Sequence, residues 1–127
     1  MIDMEQIAYD LLKETIPEIQ WSVGWPQDFR ELPVGSINQT DNSVSVSTDV
    51  AIDRISSVAV QVQIWAASPE ERNEFERRIS LTFDGLGLRR GAVNHLQETY
   101  STQITAYRSV LPFSGKYDNK LKIFYLM

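Results

Sequence analysis

Residues 57–88 constrain the fold most strongly, because a regular strand runs directly into a helix with clear signals at both ends. Val58–Trp65 alternates between apolar and more polar residues, the pattern of a strand with one covered face. Ser68-Pro69-Glu70-Glu71 then matches a helix start with a capping box, and Gly85-Leu86-Gly87 matches a helix stop. The predicted buried stripe of strand and helix comprises Val58, Val60, Val62, Ile64, Phe75, Ile79, Phe83 and Leu86.

The remaining sequence predicts one more helix and several strands. An amphipathic helix is expected over 2–15, with Asp3 as its N-cap and Pro17 ending it. Further extended segments are predicted over 19–25, 92–98, 103–113 and 120–126.

Residues 36–57 are unusually rich in Ser, Thr, Asn and Asp, and Asp41-Asn42 carries a turn signal between segments 36–40 and 43–48. This pattern predicts a polar hairpin that projects from the body. The order of helices and strands predicts a single α+β domain over residues 1–127. In it, a mainly antiparallel sheet is flanked by two helices and carries the projecting hairpin.

Charge is distributed unevenly along the chain. Residues 1–56 carry ten acidic and three basic side chains, a net charge of −7, whereas residues 57–127 carry a net charge of +2. This balance argues against tight nucleic-acid binding, which requires a positive surface. No signal peptide or membrane-spanning run is recognisable, so a soluble chain without membrane association is expected.

The residues offer little for catalysis. The chain has no cysteine, which excludes thiolate metal sites, and His95 is its single histidine, which excludes metal sites with two histidine ligands. Gly85, Gly87 and Gly91 follow a predicted helix instead of preceding one, so they do not match a phosphate-binding loop. We therefore predict no catalytic residues, no cofactor and no metal site, and we expect a protein that is not an enzyme.

Several apolar residues are candidates for contacts between subunits. Trp65 falls on the polar face of its strand, beside Gln61 and Gln63, and the sequence leaves open whether its ring lies in the core or at an interface. The predicted interface residues are Trp65, Phe29, Leu32, Val44 and Val46.

The full order of signals resembles the tail terminator (tail completion) proteins of long-tailed bacteriophages. The resemblance rests on the N-terminal helix, an acidic loop ending in Glu31-Leu32-Pro33, the polar hairpin, the strand and helix over 58–84, and the strand pattern of Tyr107–Asp118. It implies a homo-oligomeric, hexameric ring that caps the tail tube and joins it to the head–tail connector while DNA passes through. The implied location is the virion tail or neck, after assembly in the host cytoplasm.

Passage of DNA through such a ring suggests where the acidic residues lie. A channel lined with acidic groups would not retain phosphates, so we predict that Asp41, Asp49 and Asp53 line it. Two alternatives remain open at this point. One is a head-completion or connector protein of the phage neck, and the other is a small bacterial α+β module that binds a ligand between helix and sheet.

Overall fold

One seven-stranded sheet organises the chain, in a computed structural model that describes residues 3–24, 26, 31–46, 55–101, 104–118, 121 and 123–125. The strands are β1 (Gln20–Val23), β2 (Val34–Val46), β3 (Ile55–Ala66), β4 (Arg89–Arg90), β5 (Asn94–Ser101), β6 (Ile104–Asp118) and β7 (Ile123–Tyr125). The helices are α1 (Met4–Thr15) and α2 (Pro69–Gly85). These elements confirm the predicted α+β class.

The sheet is antiparallel except at one edge. Its order is β1-β2-β3-β6-β4, and β5 and β7 also pair with β6. Only the β1–β2 pair is parallel among the described strands. The long strand β6 thus supports β5, β4 and β7 successively along one side, while β3 occupies the centre of the sheet.

Both helices pack on the same face of the sheet. One buried cluster unites residues of α1, α2 and the apolar face of β3, so the helices do not enclose the sheet from two sides. The prediction that Phe75, Ile79 and Phe83 pack on this face of β3 is confirmed. The helix and β3 members of the cluster are Met4, Ala8, Leu12, Phe75, Ile79, Phe83, Val58, Val60, Val62 and Ile64.

The helix ends follow the sequence signals closely. The Asp3 side chain accepts a hydrogen bond from Gln6 N at 3.1 Å, which caps α1. Ser68 Oγ accepts from Glu71 N at 3.2 Å and thus caps α2, while the Glu71 carboxylate accepts from Ala67 N at 3.3 Å.

The C-terminus of α2 closes as a Schellman motif. Leu88 N donates to Phe83 O at 3.1 Å, and Gly87 N donates to Asp84 O at 2.9 Å. Gly87 has a φ of 88°, a left-handed conformation that glycine adopts without a Cβ clash. The stop at Gly85-Leu86-Gly87 was therefore correctly located from sequence.

The predicted turn at Asp41-Asn42 is wrong. The strand β2 runs through these residues to Val46, and Asp41 and Asn42 stand opposite Ala59 and Val58 of β3. A register shift between Gln39 and Asp41 accommodates the irregular polar segment. Pairing with a long neighbouring strand satisfies the backbone groups of β2, and this outweighs the local turn preference. Residues 47–54 connect β2 to β3 and lie outside the described residues. The projection of the hairpin therefore stays a prediction.

Candidate functional site on the polar face and edges of the sheet

Arg108 organises the sheet face that lies opposite the helices. Its guanidinium donates from Nε to Gln63 Oε1 at 2.9 Å and from Nη1 to Glu98 Oε1 at 2.6 Å. The same group lies over the Trp65 ring, 5.2 Å from the ring centroid. Because the four residues belong to β3, β5 and β6, this polar network ties three strands together.

Trp65 is buried inside the subunit. Its exposed fraction is 0%, and it clusters with Val34 and Ala106, with Leu32 packed against them. The neighbouring Gln63 is only 5% exposed. The structure therefore favours the core alternative for Trp65, because no part of the ring remains on the subunit surface.

The other predicted interface and channel residues have mixed outcomes. Leu32 is half-buried beside Trp65, so these two are brought together. Val44 and Val46 belong to β2 and pair with Ser56 and Ile55, but their side chains lie outside the description, as does that of Asp41. Phe29, Asp49 and Asp53 lie wholly outside the described residues. The channel assignment therefore stays a prediction.

A solvent-open groove lies where the end of α2 meets the edge strand β4. Its volume is about 400 Å³, and it is lined by Ser80, Leu81, Asp84, Leu88, Arg89, Arg90 and Phe113. Leu81 is 60% exposed there. Arg90 Nη1 donates to Ser80 Oγ at 3.0 Å, which holds one guanidinium against the helix. This groove was not predicted from the sequence, although two adjacent arginines directly after a helix stop are a usable signal.

The opposite edge of the sheet has a different character. Within the described residues, β1 pairs with β2 alone, and Val23 at its end is 47% exposed. The helix α1 packs over β1 and β2. Its outward positions include the exposed residues Asp10, Lys13 and Glu14. One side of the subunit is therefore acidic, and the other carries the arginine groove.

His95 belongs to a hydrogen-bonded group that links α2 to the sheet, although its own side chain is 45% exposed. Its Nε2 lies 2.5 Å from Glu76 Oε1, and the fully buried Ser109 donates its hydroxyl to the same carboxylate oxygen. In a nucleophile–base–acid triad the histidine stands between the other two groups. Here the carboxylate stands in the middle, so the arrangement fixes α2 against β5 and β6 and does not activate the serine.

A second tie joins the two helices. Arg78 of α2 donates to the Glu18 carboxylate and, from Nη2, to Thr15 O at 3.2 Å. The hydrogen bond from Arg78 to the carboxylate lowers the pKa of Glu18 below its ordinary value.

Among the described residues, no group of three or more acidic, histidine or cysteine side chains could hold a metal ion. Neither of the described helices combines the length and apolar character that membrane crossing requires.

No protein-family model matches the chain, and a search of curated proteins finds no match.

Proposed function

We propose that this chain is the subunit of a ring that terminates the tail tube of a long-tailed bacteriophage and joins it to the head–tail connector. The observation that carries the proposal is the asymmetry of the sheet. Its two ends carry different strands, with β1 and α1 at one end and β4 and β5 at the other.

Unlike edges permit head-to-tail association. A strand at a sheet edge presents backbone groups that can pair with another chain. When the two contacting surfaces of a subunit differ, each copy binds the next in the same sense, and a suitable rotation closes the series into a ring. Identical surfaces would instead favour a two-fold dimer. A subunit with two unlike edges is thus compatible with a head-to-tail ring.

The charge of the chain suits a channel for DNA. The net charge is −5, and the acidic excess lies in residues 1–56. DNA must slide through without being held, and each phosphate neutralised by a basic side chain would strengthen binding. We propose that Asp41, Asp49 and Asp53 face the lumen, and that the tail tube and connector proteins contact the two flat ends of the ring.

The ring is tested by measuring the assembly of the purified protein with and without isolated tail tubes. We expect mass photometry and negative-stain images to show closed rings with a central hole, either in the purified protein or after isolated tail tubes are added. Rings that cap tube ends support a terminator. Rings that bind only DNA-filled heads would indicate the head-completion alternative. A monomer under both conditions contradicts the proposal.

The channel is tested by charge reversal. Changing Asp41, Asp49 and Asp53 to Lys should raise the affinity of the rings for double-stranded DNA, with a steeper loss of binding as salt increases. The control variant changes three described, exposed acids by the same total charge: Glu31, Glu70 and Glu74 to Lys. Equal DNA affinity of the two variants at low salt would contradict the lumen assignment.

A further inference from the structure

The sheet has an open edge at each end. Within the described residues, β1 pairs with β2 alone, and at the other end β4, β5 and β7 each pair with β6 alone. The outward backbone groups of these strands therefore face no other described strand. Such an edge pairs readily with another chain unless charge, proline, a bulge or a very short length blocks it.

The edge of β5 lacks these blocks along half of its length. Its residues Asn94–Gln97 are exposed and include no acidic residue, lysine, arginine or proline. The register shift of β5 lies further along, between Thr99 and Ser101. At the opposite end of the sheet, the four residues of β1, Gln20–Val23, are likewise uncharged. By contrast, β4 consists of two arginines and β7 has only three residues. The edges that remain suited to pairing are thus β1 and β5.

The strand register places β1 and β5 at the same level of the sheet. One row of residues crosses all five strands between them and consists of Gln20, Val34, Trp65, Arg108 and Leu96. The next row on the same face consists of Ser22, Ser36, Gln63, Val110 and Asn94. The strands β4 and β7 pair with β6 over residues 113–118, beyond the level that β1 occupies. Of the three strands on that side, β5 alone lies level with β1.

The two level edges also run in opposite directions. The strand β1 is parallel to β2, and each step from β2 to β3, from β3 to β6 and from β6 to β5 reverses the direction. Side by side, β5 of one copy and β1 of another in the same orientation would form an antiparallel pair. Antiparallel pairs are slightly more stable per residue than parallel ones.

We propose that β5 of each subunit pairs with β1 of a second copy of this chain, with Leu96 opposite Gln20 and Asn94 opposite Ser22. The sheet then continues across the contact, and the helices of both copies lie on the same face of it. The neighbouring strand covers Leu96, which is 44% exposed in the single subunit. Because the edges are level, the contact adds no displacement along the strands, which is compatible with closure into a ring. The inference rests on the proposed ring and names the strands through which its subunits meet.

Engineered cysteines test this register, since the chain has no cysteine of its own. The test variant carries Gln20→Cys and Leu96→Cys, both at exposed positions. Within one subunit these positions are separated by four strand spacings, about 19 Å along the sheet, which is too far for a disulfide. Residues directly opposite each other in an antiparallel pair have Cα atoms about 4.5–5.5 Å apart, within disulfide range. A disulfide in this variant therefore joins two subunits.

Mild oxidation, with tail tubes present where the parent protein requires them to form rings, should give a ladder of covalent oligomers that ends at the size of the ring. A closed ring leaves no free thiol, whereas an open chain leaves one at each end. Equimolar mixtures of the single variants Gln20→Cys and Leu96→Cys should stop at covalent dimers, and neither single variant should cross-link alone.

Two further variants make the test specific. The matched control combines Gln20→Cys with Gln97→Cys. Gln97 is exposed and adjacent to Leu96 but lies on the other face of the sheet, so we expect no disulfide. The pair Ser22→Cys with Asn94→Cys occupies the next row on the original face and should cross-link, which guards against unsuitable geometry at one position.

The outcomes separate the two proposals. If rings form and neither cysteine pair cross-links, pairing of β5 with β1 is refuted and the ring proposal stands. If Leu96→Cys alone gives disulfide-linked dimers, β5 pairs with β5 of a second copy, and the inference is refuted. If cross-linked chains keep free thiols at their ends and no closed product forms, the strand pairing is confirmed and the ring is refuted. A parent protein that stays monomeric with and without tubes refutes both proposals.

Discussion

Replacement of Phe83 by alanine should cause one of the largest losses of stability that a single substitution can produce in this chain. Phe83 is fully buried in the last turns of α2, and its ring centroid lies 4.6 Å from that of Phe113 on β6. The substitution removes the side chain that packs the end of the helix against the sheet. It leaves the Phe83 carbonyl, which accepts from Leu86 and Leu88 in the Schellman motif, in place.

The magnitude follows from burial and packing. Removing a fully buried phenylalanine side chain forfeits a transfer free energy of about 1.5–3 kcal/mol. The lost pairing of the two aromatic rings adds about 0.5–1.5 kcal/mol. Because helix and sheet relax only partly into the space left behind, a cavity cost is added as well. The expected loss is therefore about 3–5 kcal/mol in the free energy of unfolding, the range found for Phe→Ala in cores.

Urea unfolding followed by circular dichroism at low protein concentration measures this loss. With an m value of about 1–3 kcal/mol per molar urea, the midpoint should fall by at least about 1 M. The matched control is Leu81→Ala, two residues earlier on the same helix, where the side chain is 60% exposed and the change should stay within about 0.5 kcal/mol. If Phe83→Ala does not fold, Phe83→Leu provides a smaller cavity at the same site. Equal losses at positions 81 and 83 would refute the assignment of the buried face of α2.

Two further predictions concern backbone packing and pH. Gly35→Ala should destabilise the fold by about 1–3 kcal/mol, because the added Cβ would lie 2.5 Å from Trp21 Cε3. At Gly85 an added Cβ meets no atom within 4 Å, so Gly85→Ala should raise the stability by about 0.4–1 kcal/mol. Thermal unfolding in which both variants shift the midpoint in the same direction would contradict this prediction. Since Arg78 lowers the pKa of Glu18 in the folded state, the ionised carboxylate stabilises the protein above the ordinary value of 4.5, and that stabilisation is lost as pH falls through the lowered pKa. The stability difference between the parent and Glu18→Gln should therefore be present at pH 7 and shrink below pH 4.5. A difference that does not depend on pH would contradict the stabilising role of the Arg78–Glu18 hydrogen bond.

Local signals determined the helices and the central strand. The caps at Asp3 and Ser68, the stop at Gly87 and the alternation along β3 depend on neighbours within a few residues. The caps are hydrogen bonds between residues close together in the sequence, and the apolar face of β3 follows from the alternation of its residues. For the same reason the sequence predicts the packing of Phe83 and its apolar stripe on β3.

The tertiary structure decided the course of β2, the surroundings of Trp65 and the position of the arginine groove. Asp41-Asn42 has the composition of a turn, but β3 lies alongside and pairs with both residues. Trp65 stands on the polar face of its strand, yet β2 and β6 place Val34 and Ala106 around its ring. Such contacts join residues 16 to 41 positions apart along the chain. No local pattern encodes which distant strand becomes the neighbour, so burial on that face follows from the assembled sheet.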